Sequence, residues 1–373
     1  MSNFIKSIDI KSFRGIRSLK LDDIQQINIL TGDNNSGKTS VLEILENFES
    51  PDYVGGWRPL LRRDSRIPST WGISFYDGFY NLFDIDSENK IVEYRISTLS
   101  EMVTVSLSAK TVEEELTEEE YNNAIGMSYK YSGDDKDMDN SILYPVKKME
   151  LEVRINGAVS DTSEIYEGQR VLKLSKIGIL KEYERKKVVY ISPIRHAEGS
   201  VYLSEILNNP DLYEEMLVVL KEYDEDIISI NYDNDDNRSG GRGVYKILSK
   251  THKKALPLNV YGDGMKKAVL LMSAVVKAKN GVLLLDEFET AIHTSAMDRT
   301  FKWILETCVK LNVQVFMTSH SKEAIDKVLK CSPDILDKIA VYTLYKDELG
   351  SSVRRLSGKK AIEVQDDMGL ELR

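Results

Sequence analysis

Residues 31–40, TGDNNSGKTS, combine two glycines, a lysine and hydroxyl side chains at spacings suited to phosphate binding. Gly32 to Thr39 fits G-x-x-x-x-G-K-[ST] at every specified position. In such a loop the glycines allow backbone dihedrals that other residues avoid, so consecutive N–H groups point at the β- and γ-phosphates. Lys38 is expected to bridge the outer phosphate oxygens, and the Thr39 hydroxyl to coordinate Mg²⁺.

The segments on either side of this loop support that interpretation. IQQINIL before it reads as a strand and VLEILENF after it as an amphipathic helix, whose N-terminus carries partial positive charge. The alternative is a strand-to-helix connection capped by Ser36 or Asn35, but capping needs no lysine at position 38. We therefore predict nucleotide contacts at Gly32, Asn34, Asn35, Ser36, Gly37, Lys38, Thr39 and Ser40.

Two acidic residues follow the apolar run VLLL at 282–285. Asp286 is expected to hold Mg²⁺ together with Thr39, acting through a water, and Glu287 to orient and deprotonate the attacking water as the catalytic base. The alternative is a buried strand that ends in acidic residues facing solvent. The phosphate loop upstream favours the catalytic interpretation.

His320 ends another apolar run, VFMTSH. A histidine at the end of a strand beside the acidic pair can donate a hydrogen bond to the γ-phosphate or to the attacking water. A purely structural histidine is the alternative. Its place about 30 residues after the acidic pair favours a catalytic role, one that senses whether the nucleotide is a triphosphate.

The elements that must position these residues alternate between strand and helix. From residue 258 onward, a glycine turn, a helix, the strand before Asp286, another helix and the strand before His320 follow one another. This order predicts an α/β fold with a mixed or parallel sheet flanked by helices, whose ligands bind at the carboxyl ends of the strands. Residues 90–180 differ, since strand-like runs alternate there with polar spacers, and they predict a partly β insertion.

Composition limits the class of protein. The chain has 373 residues, a formal charge of −10 and only two cysteines, Cys308 and Cys331, which favours a reducing compartment without disulfides. No apolar stretch approaches the ~20 residues that span a bilayer, so we expect a cytoplasmic protein with no membrane partner. The negative charge argues against a broad nucleic-acid surface. The basic stretch RPLLRRDSR at 58–66 is best explained as a solvated face paired with carboxylates.

Together these motifs resemble the ABC-type ATPase superfamily, and most closely its SMC/Rad50-like and OLD-like soluble branch. GDNNSGKT, YGDGMKK, LLLDEFE, the loop from the acids to His293 and TSHS occur in the order of that family. DEFETAIHTSAM and the closing GLELR resemble the AAA15 subgroup. The resemblance covers roughly residues 1–50 and 255–373. It implies an ATPase head in two parts, 1–90 and 186–373, interrupted by an α/β insertion at 91–185.

The resemblance also implies a mechanism with ATP and Mg²⁺. Family members pair head to tail and enclose two ATP molecules, each held by one subunit's phosphate loop and the other subunit's signature turn. Here the signature turn would be Gly262, Asp263 and Gly264, and Gly262 stands where the family usually has a serine. Arg14, in the N-terminal FRGI, resembles the element that contacts base and ribose.

The glutamine of the family's lever loop has no obvious counterpart. Arg195, which follows the VVYISP strand, is the candidate for a residue near the nucleotide in that region, ahead of His196.

The leading functional hypothesis is an ATPase that forms a homodimer or higher homo-oligomer around ATP and regulates or scaffolds a separate effector. Only 53 residues follow His320, too few for the Toprim nuclease domain common in OLD-like proteins. The effector is then expected to be a separate Toprim-type nuclease or toxin, as in the PARIS-type pairs of bacterial anti-phage defence.

A DNA-handling ATPase like SMC/Rad50 is the main alternative, which keeps nucleic acid open as a partner. A transporter nucleotide-binding subunit ranks lower, and a small GTPase lowest because no N-K-x-D guanine-binding motif is present.

Overall fold

The computed structural model describes residues 4–62, 72–125, 142–172, 183–193, 203–233, 244–252, 254–290, 292, 294–347 and 350–368. Arg195, His196, His293 and the closing GLELR lie outside these residues, as do Arg63 and Arg66 of the basic stretch. Three sheets and the helices packed on them make up the described part of the chain.

The strands are β1 Ile5–Phe13, β2 Ile16–Leu21, β3 Ile27–Gly32, β4 Lys90–Thr98, β5 Met102–Thr117, β6 Leu143–Ile155, β7 Ala158–Tyr166, β8 Val188–Ile191, β9 Ile227–Asp233, β10 Val244–Ser249, β11 Leu256–Pro257, β12 Val282–Leu285, β13 Gln314–Thr318, β14 Ile339–Asp347 and β15 Gly350–Ser357. The helices are α1 Lys38–Asn47, α2 Phe75–Tyr80, α3 Glu118–Ile125, α4 Ser204–Leu207, α5 Pro210–Leu220, α6 Asp263–Lys277, α7 Thr294–Lys310, α8 Lys322–Lys330 and α9 Gly358–Met368. Short 3₁₀ helices span Val54–Leu61, Leu258–Val260 and Pro333–Lys338.

A six-stranded mixed sheet brings the predicted site together. Its strand order is β15-β14-β3-β13-β12-β8, and all neighbours are parallel except β14 and β15. The carboxyl ends of β3, β12 and β13 therefore lie side by side, with Leu285 opposite Met317 and Thr318 opposite Leu30. The α/β fold with a mixed sheet flanked by helices is confirmed.

The mixed sheet buries both of its faces, which explains its uninterrupted apolar strands. On β12, Val282 and Leu284 belong to a hydrophobic cluster that includes residues of α1 and of the antiparallel sheet. Leu283 and Leu285 point the other way, into a cluster with residues of α6, α7 and α8. The period-2 alternation of a strand thus directs successive leucines into two separate cores.

A second six-stranded sheet is antiparallel throughout, with the order β2-β1-β4-β5-β6-β7. Strand β4 pairs directly with β1, so that Ile8 lies opposite Ile96. The β strands expected in the insertion are present, and they continue the sheet that β1 and β2 begin. The division into 1–90, 91–185 and 186–373 stays a prediction, and its first limit falls within β4.

The remaining sheet has three strands, in the order β11-β10-β9. It precedes the turn that leads into α6, and Ile230 of β9 and Ile247 of β10 join the hydrophobic cluster of that helix. Within the described ranges, no helix has both the length and the apolar character needed to span a bilayer.

Candidate nucleotide site

The predicted phosphate loop has the backbone conformation for which its glycines are needed. Gly32 has φ +133°, and a Cβ there would lie 2.2 Å from the Leu344 carbonyl oxygen of β14. Gly37 has φ +100°, and its Cβ would lie 3.0 Å from Ile16 Cδ1. Asn35 also lies in the left-handed region, at φ 64°. The sequence requires glycine at both positions because neighbouring strands pack directly on the loop.

Lys38 is folded back onto this loop. Its Nζ donates hydrogen bonds to the carbonyl oxygens of Gly32 at 2.9 Å and Asp33 at 2.7 Å, and it lies 3.4 Å from Ser36 Oγ. Burial lowers the pKa of Lys38, while the nearby carboxylates, Asp286 first, act in the opposite direction. The lysine is therefore positioned at the mouth of the loop, where a phosphate can replace its carbonyl partners.

Helix α1 begins without a side-chain cap. Gly37 is its N-cap residue, and among the described residues no side chain forms a capping hydrogen bond there. A helix N-terminus leaves several backbone N–H groups without intrahelical partners and carries partial positive charge. These groups fit the phosphates of a nucleotide.

The Thr39 hydroxyl meets the carboxylate of Asp286, its predicted partner in metal binding. Thr39 Oγ1 lies 3.3 Å from Oδ1 and 3.2 Å from Oδ2 of Asp286, although 247 residues separate them in sequence. Asp286 is 4% exposed. A hydroxyl and a carboxylate are hard oxygen donors, and together with phosphate and water they suit Mg²⁺. Across the described ranges, no group of three or more His, Cys, Asp and Glu side chains converges as an all-protein metal site.

Two further side chains fix the orientation of Asp286. Thr318 Oγ1 donates to Asp286 Oδ1 at 2.6 Å, and the Tyr190 hydroxyl donates to Oδ2 at 3.3 Å. Burial raises the pKa of Tyr190, and the charge of Asp286 adds to this shift, so the phenol keeps its proton at neutral pH. The carboxylate is thus held from β13 and from β8.

Glu287, the predicted catalytic base, occupies an unusual backbone conformation. Its φ is 47°, in the left-handed region that a glutamate avoids, and its N–H donates to Thr318 Oγ1 at 2.9 Å. Such conformations cost about 1–3 kcal/mol and persist where the surroundings determine them. The chain therefore turns at Glu287, directly after β12.

His320 lies beyond the end of the neighbouring strand β13, as predicted, in a segment held by Glu289. Glu289 Oε1 accepts hydrogen bonds from Ser319 Oγ at 2.8 Å and from the His320 N–H at 3.2 Å. Ser321 then caps α8 by accepting from the Ala324 N–H at 3.2 Å. The backbone at His320 is therefore fixed from both sides.

Arg14 lies beside α1 and is bound by protein groups. Its guanidinium donates to the Leu60 carbonyl oxygen, and its Nε lies 3.4 Å from Glu43. Arg62 pairs with the same carboxylate at 2.7 Å, as expected for a basic stretch paired with acids. Burial lowers the pKa of Arg14 to about 10. Its contact with base and ribose stays a prediction, one that requires the guanidinium to leave these partners.

The predicted signature turn lies at the exposed N-terminus of α6. Gly262 is the N-cap residue, with φ −62° and ψ 154°, and Asp263 pairs with Lys266 at 2.6 Å. Among the residues that the structure describes, no atom lies within 4 Å of a Cβ placed at Gly262. The turn faces solvent rather than a neighbouring part of the described chain, and the backbone does not require glycine at position 262.

Several residues that organise the site carry little or no signal in the sequence, namely Tyr190, Thr318, Glu289 and Glu43. Thr318 and Tyr190 have a weak signal, because each places a hydroxyl near the carboxyl end of a strand. Glu289 and Glu43 have none, since their importance depends on neighbours that are distant in sequence.

Comparison with known proteins identifies a family and relatives. Residues 27–326 match the family described as AAA domain, putative AbiEii toxin, Type IV TA system. A Helicobacter pylori protein named ATP/GTP phosphatase is 25% identical over 379 residues, which cover 92% of this chain and 93% of that protein. The uncharacterized protein MJECL11 of Methanocaldococcus jannaschii is 32% identical over 114 residues, which cover 30% of this chain and 98% of that protein.

One solved structure, an SMC head bound to the C-terminal winged-helix domain of ScpA, aligns with 96% of this chain and 99% of its own. The TM-score is 0.49 at 13% identity. The family match is the informative result, because it spans most of the 373 residues and includes both the phosphate loop and the acidic strand end. The chain therefore belongs to the family of AAA domains described as putative AbiEii toxin, Type IV TA system.

Proposed function

We propose that this protein is a Mg²⁺-dependent ATPase that dimerises around ATP and thereby regulates or scaffolds a separate effector chain. The observation that carries the proposal is the contact between Thr39 and Asp286, at 3.2 Å. It joins the phosphate loop to the acidic end of β12, which is the arrangement that a metal-bound triphosphate requires.

The residues of this chain have distinct roles in the proposed reaction. The phosphate loop and Lys38 bind the phosphates, while Thr39 and Asp286 hold Mg²⁺, which supplies charge neutralisation on the phosphate oxygens. Thr318 and Tyr190 keep Asp286 oriented. Glu287 takes the proton of the attacking water, and His320 donates a hydrogen bond at the γ-phosphate end of the site.

ATP is the proposed nucleotide. The relative named ATP/GTP phosphatase supports hydrolysis of a nucleoside triphosphate. The sequence contains no N-K-x-D motif that would select guanine, which favours ATP over GTP. Comparing hydrolysis of ATP and GTP at equal concentrations tests this choice.

The exposed turn at the start of α6 supports a second subunit in the active form. An uncapped helix N-terminus facing solvent suits the γ-phosphate held by a partner copy. The family description names a putative toxin of a Type IV TA system. The proposal of a separate effector chain of nuclease or toxin class rests on the motif resemblance. A role in bacterial anti-phage defence, through a PARIS-type pair, rests on the motif resemblance.

Two variants test the proposal directly. Lys38→Ala is expected to lose ATP binding, whereas Glu287→Gln is expected to keep it, to lose at least 100-fold in turnover and to accumulate as an ATP-bound dimer. Light scattering after size-exclusion chromatography, with and without ATP and Mg²⁺, measures the dimer. Lys20→Ala, which changes an exposed lysine on β2, is the matched control. Normal turnover in Glu287→Gln would contradict the assignment of the base.

Purification with chains encoded nearby tests the effector. A nuclease or toxin is expected to elute with the protein in an ATP-dependent manner. Lys38→Ala, which is expected to lose ATP binding, should remove that dependence. Elution that is identical with and without ATP would contradict nucleotide control of the partner.

A further inference from the structure

The hairpin of β14 and β15 extends beyond the phosphate loop. Strand β14 pairs in parallel with β3, and Leu344 lies opposite Gly32, the last residue of β3. Strand β14 continues to Asp347, whereas the chain after Gly32 enters the phosphate loop. A strand rises about 3.3 Å per residue, so Lys346 lies roughly 7 Å beyond the level of Gly32. The end of the hairpin therefore lies beside the phosphate loop, at the carboxyl edge of the mixed sheet.

The Lys346 side chain lies over the turn that joins β1 and β2. Its Nζ is 3.2 Å from the position of a Cβ built on Gly15, in that turn. The residue after the turn contacts the phosphate loop, because Ile16 Cδ1 lies 3.0 Å from a Cβ built on Gly37. The turn therefore lies between the lysine and the loop and is close to both.

The arginines beside this turn are paired with carboxylates, whereas Lys346 is not. Arg14 forms a salt bridge with Glu43, and Arg17 Nη2 donates to Asp84 Oδ1 at 2.9 Å. Lys346 is exposed, and it forms no salt bridge with any residue in the described ranges. A cation that is exposed beside a phosphate loop and lacks a carboxylate partner is available to an anionic ligand.

Lys346 and the predicted metal site lie on opposite sides of β3. Asp286 follows β12, and β13 lies between β12 and β3, whereas β14 pairs with the other edge of β3. Strands β12 and β14 are therefore three strand spacings apart, roughly 14 Å. In the proposed function, Mg²⁺ and the γ-phosphate lie at the β12 end of the site. The β14 end is then nearer to the part of the nucleotide that is farthest from the γ-phosphate.

We propose that Lys346 is a further nucleotide-binding residue, which contacts the α-phosphate from the hairpin while Lys38 contacts the outer phosphates from the loop. A lysine binds phosphate as a compact positive charge with three rotatable donors. To reach the ligand, the ammonium leaves its place over Gly15 and breaks no salt bridge within the described chain. The α-phosphate is common to ATP and ADP, so this lysine holds the nucleotide before and after hydrolysis. The inference rests on the proposed function, because it adds a residue to the same nucleotide site.

Lys346→Met tests this contact. Isothermal titration calorimetry with Mg²⁺ measures the Kd for ADP and for non-hydrolysable analogues of ATP and GTP. Each Kd is expected to rise about 5- to 10-fold, and by the same factor, since all three ligands carry the α-phosphate. Lys346→Arg keeps the charge and is expected to stay within about 3-fold of wild type. Higher salt should reduce the difference between wild type and Lys346→Met, because the contact is exposed to solvent.

A matched control changes a lysine at the other end of the hairpin. Lys359→Met alters an exposed lysine of α9, just after the end of β15 that pairs with the start of β14, and it should bind all three ligands as wild type does. The melting temperature of each variant checks that it is folded.

Several results would overturn the α-phosphate contact. An unchanged Kd for ADP in Lys346→Met would limit the effect to the γ-phosphate, and factors that differ between the ATP and GTP analogues would place the lysine at the base. Equal losses in Lys346→Met and Lys346→Arg, or in Lys346→Met and Lys359→Met, would show that the charge at position 346 has no specific role.

Wild-type behaviour distinguishes this inference from the proposed function. If wild-type protein binds none of these nucleotides, the proposed function fails and the role of Lys346 fails with it. If wild-type protein binds and hydrolyses ATP and Lys346→Met equals it, only the role of Lys346 is wrong.

Discussion

The Thr318 hydroxyl donates a hydrogen bond to Asp286 Oδ1 at 2.6 Å and accepts one from the N–H of Glu287 at 2.9 Å. One side chain at the end of β13 therefore orients both acidic residues at the end of β12. The two strands are parallel neighbours in the mixed sheet, so their ends meet although 32 residues separate Thr318 from Asp286. Thr318 thus links the acidic pair, Asp286 and Glu287, to the strand that precedes His320.

Removing that hydroxyl is expected to impair catalysis more than binding. Thr318→Val keeps the volume and loses both hydrogen bonds, and loss of a group that orients a metal ligand typically costs 10–100-fold. We expect kcat to fall by that amount and the Mg²⁺ concentration for half-maximal activity to rise. Thr318→Ser, which keeps the hydroxyl, should recover most of the activity. Equal losses in both variants would indicate a packing defect instead.

Gly32→Ala is expected to abolish nucleotide binding and to destabilise the protein. The new Cβ would lie 2.2 Å from a backbone carbonyl oxygen, at a φ of +133° that alanine rarely adopts. We expect the free energy of unfolding to fall by at least about 2 kcal/mol. Gly72→Ala is the control, because a Cβ at that position meets no atom of the described residues within 4 Å. Chemical denaturation and ATP titration measure the two effects, and unchanged binding would contradict the assigned loop.

Gly262→Ser is expected to be tolerated and to strengthen ATP-dependent association. Its backbone suits a serine, open space surrounds the added Cβ, and a hydroxyl there can contact the partner's γ-phosphate. A hydrogen bond of this kind contributes about 0.5–1.5 kcal/mol, and a dimer with two ATP sites would gain two of them, so its Kd should fall roughly 5- to 150-fold. Gly262→Ala supplies the Cβ without the hydroxyl. The same Kd for serine and alanine, measured in the Glu287→Gln background, would exclude a hydroxyl contact.

Lys267 is expected to make stability depend on pH. Burial lowers its pKa to about 7, from the ordinary value of 10.5. Between these values the unfolded chain binds a proton that the folded chain does not, so the free energy of unfolding rises with pH. Subtracting Lys267→Met from wild type isolates this group, and the difference should increase between pH 7 and 9 by at most about 1.4 kcal/mol per pH unit. Parallel pH profiles for the two proteins would contradict the shift.

The candidate nucleotide site could be predicted from sequence wherever consecutive residues build it. The phosphate loop is one such segment, because its glycines, lysine and threonine act through the local backbone. The acidic pair is another, since an apolar run followed by two carboxylates already marks the end of a buried strand. The α/β fold could be predicted as well, because hydrophobic periodicity along the sequence indicates which face of each strand and helix is buried.

Tertiary structure decided which distant groups share that site. Thr39 reaches Asp286 only because β3 and β12 both pair with β13, and strand order cannot be read from local patterns. Local patterns also do not show that β4 pairs with β1, a pairing that makes the middle of the chain part of the N-terminal sheet. A lysine in a helix is usually a surface residue, and only the tertiary structure shows that Lys267 is buried. Local propensity depends on neighbours in sequence, whereas ionisation and metal binding depend on neighbours in space.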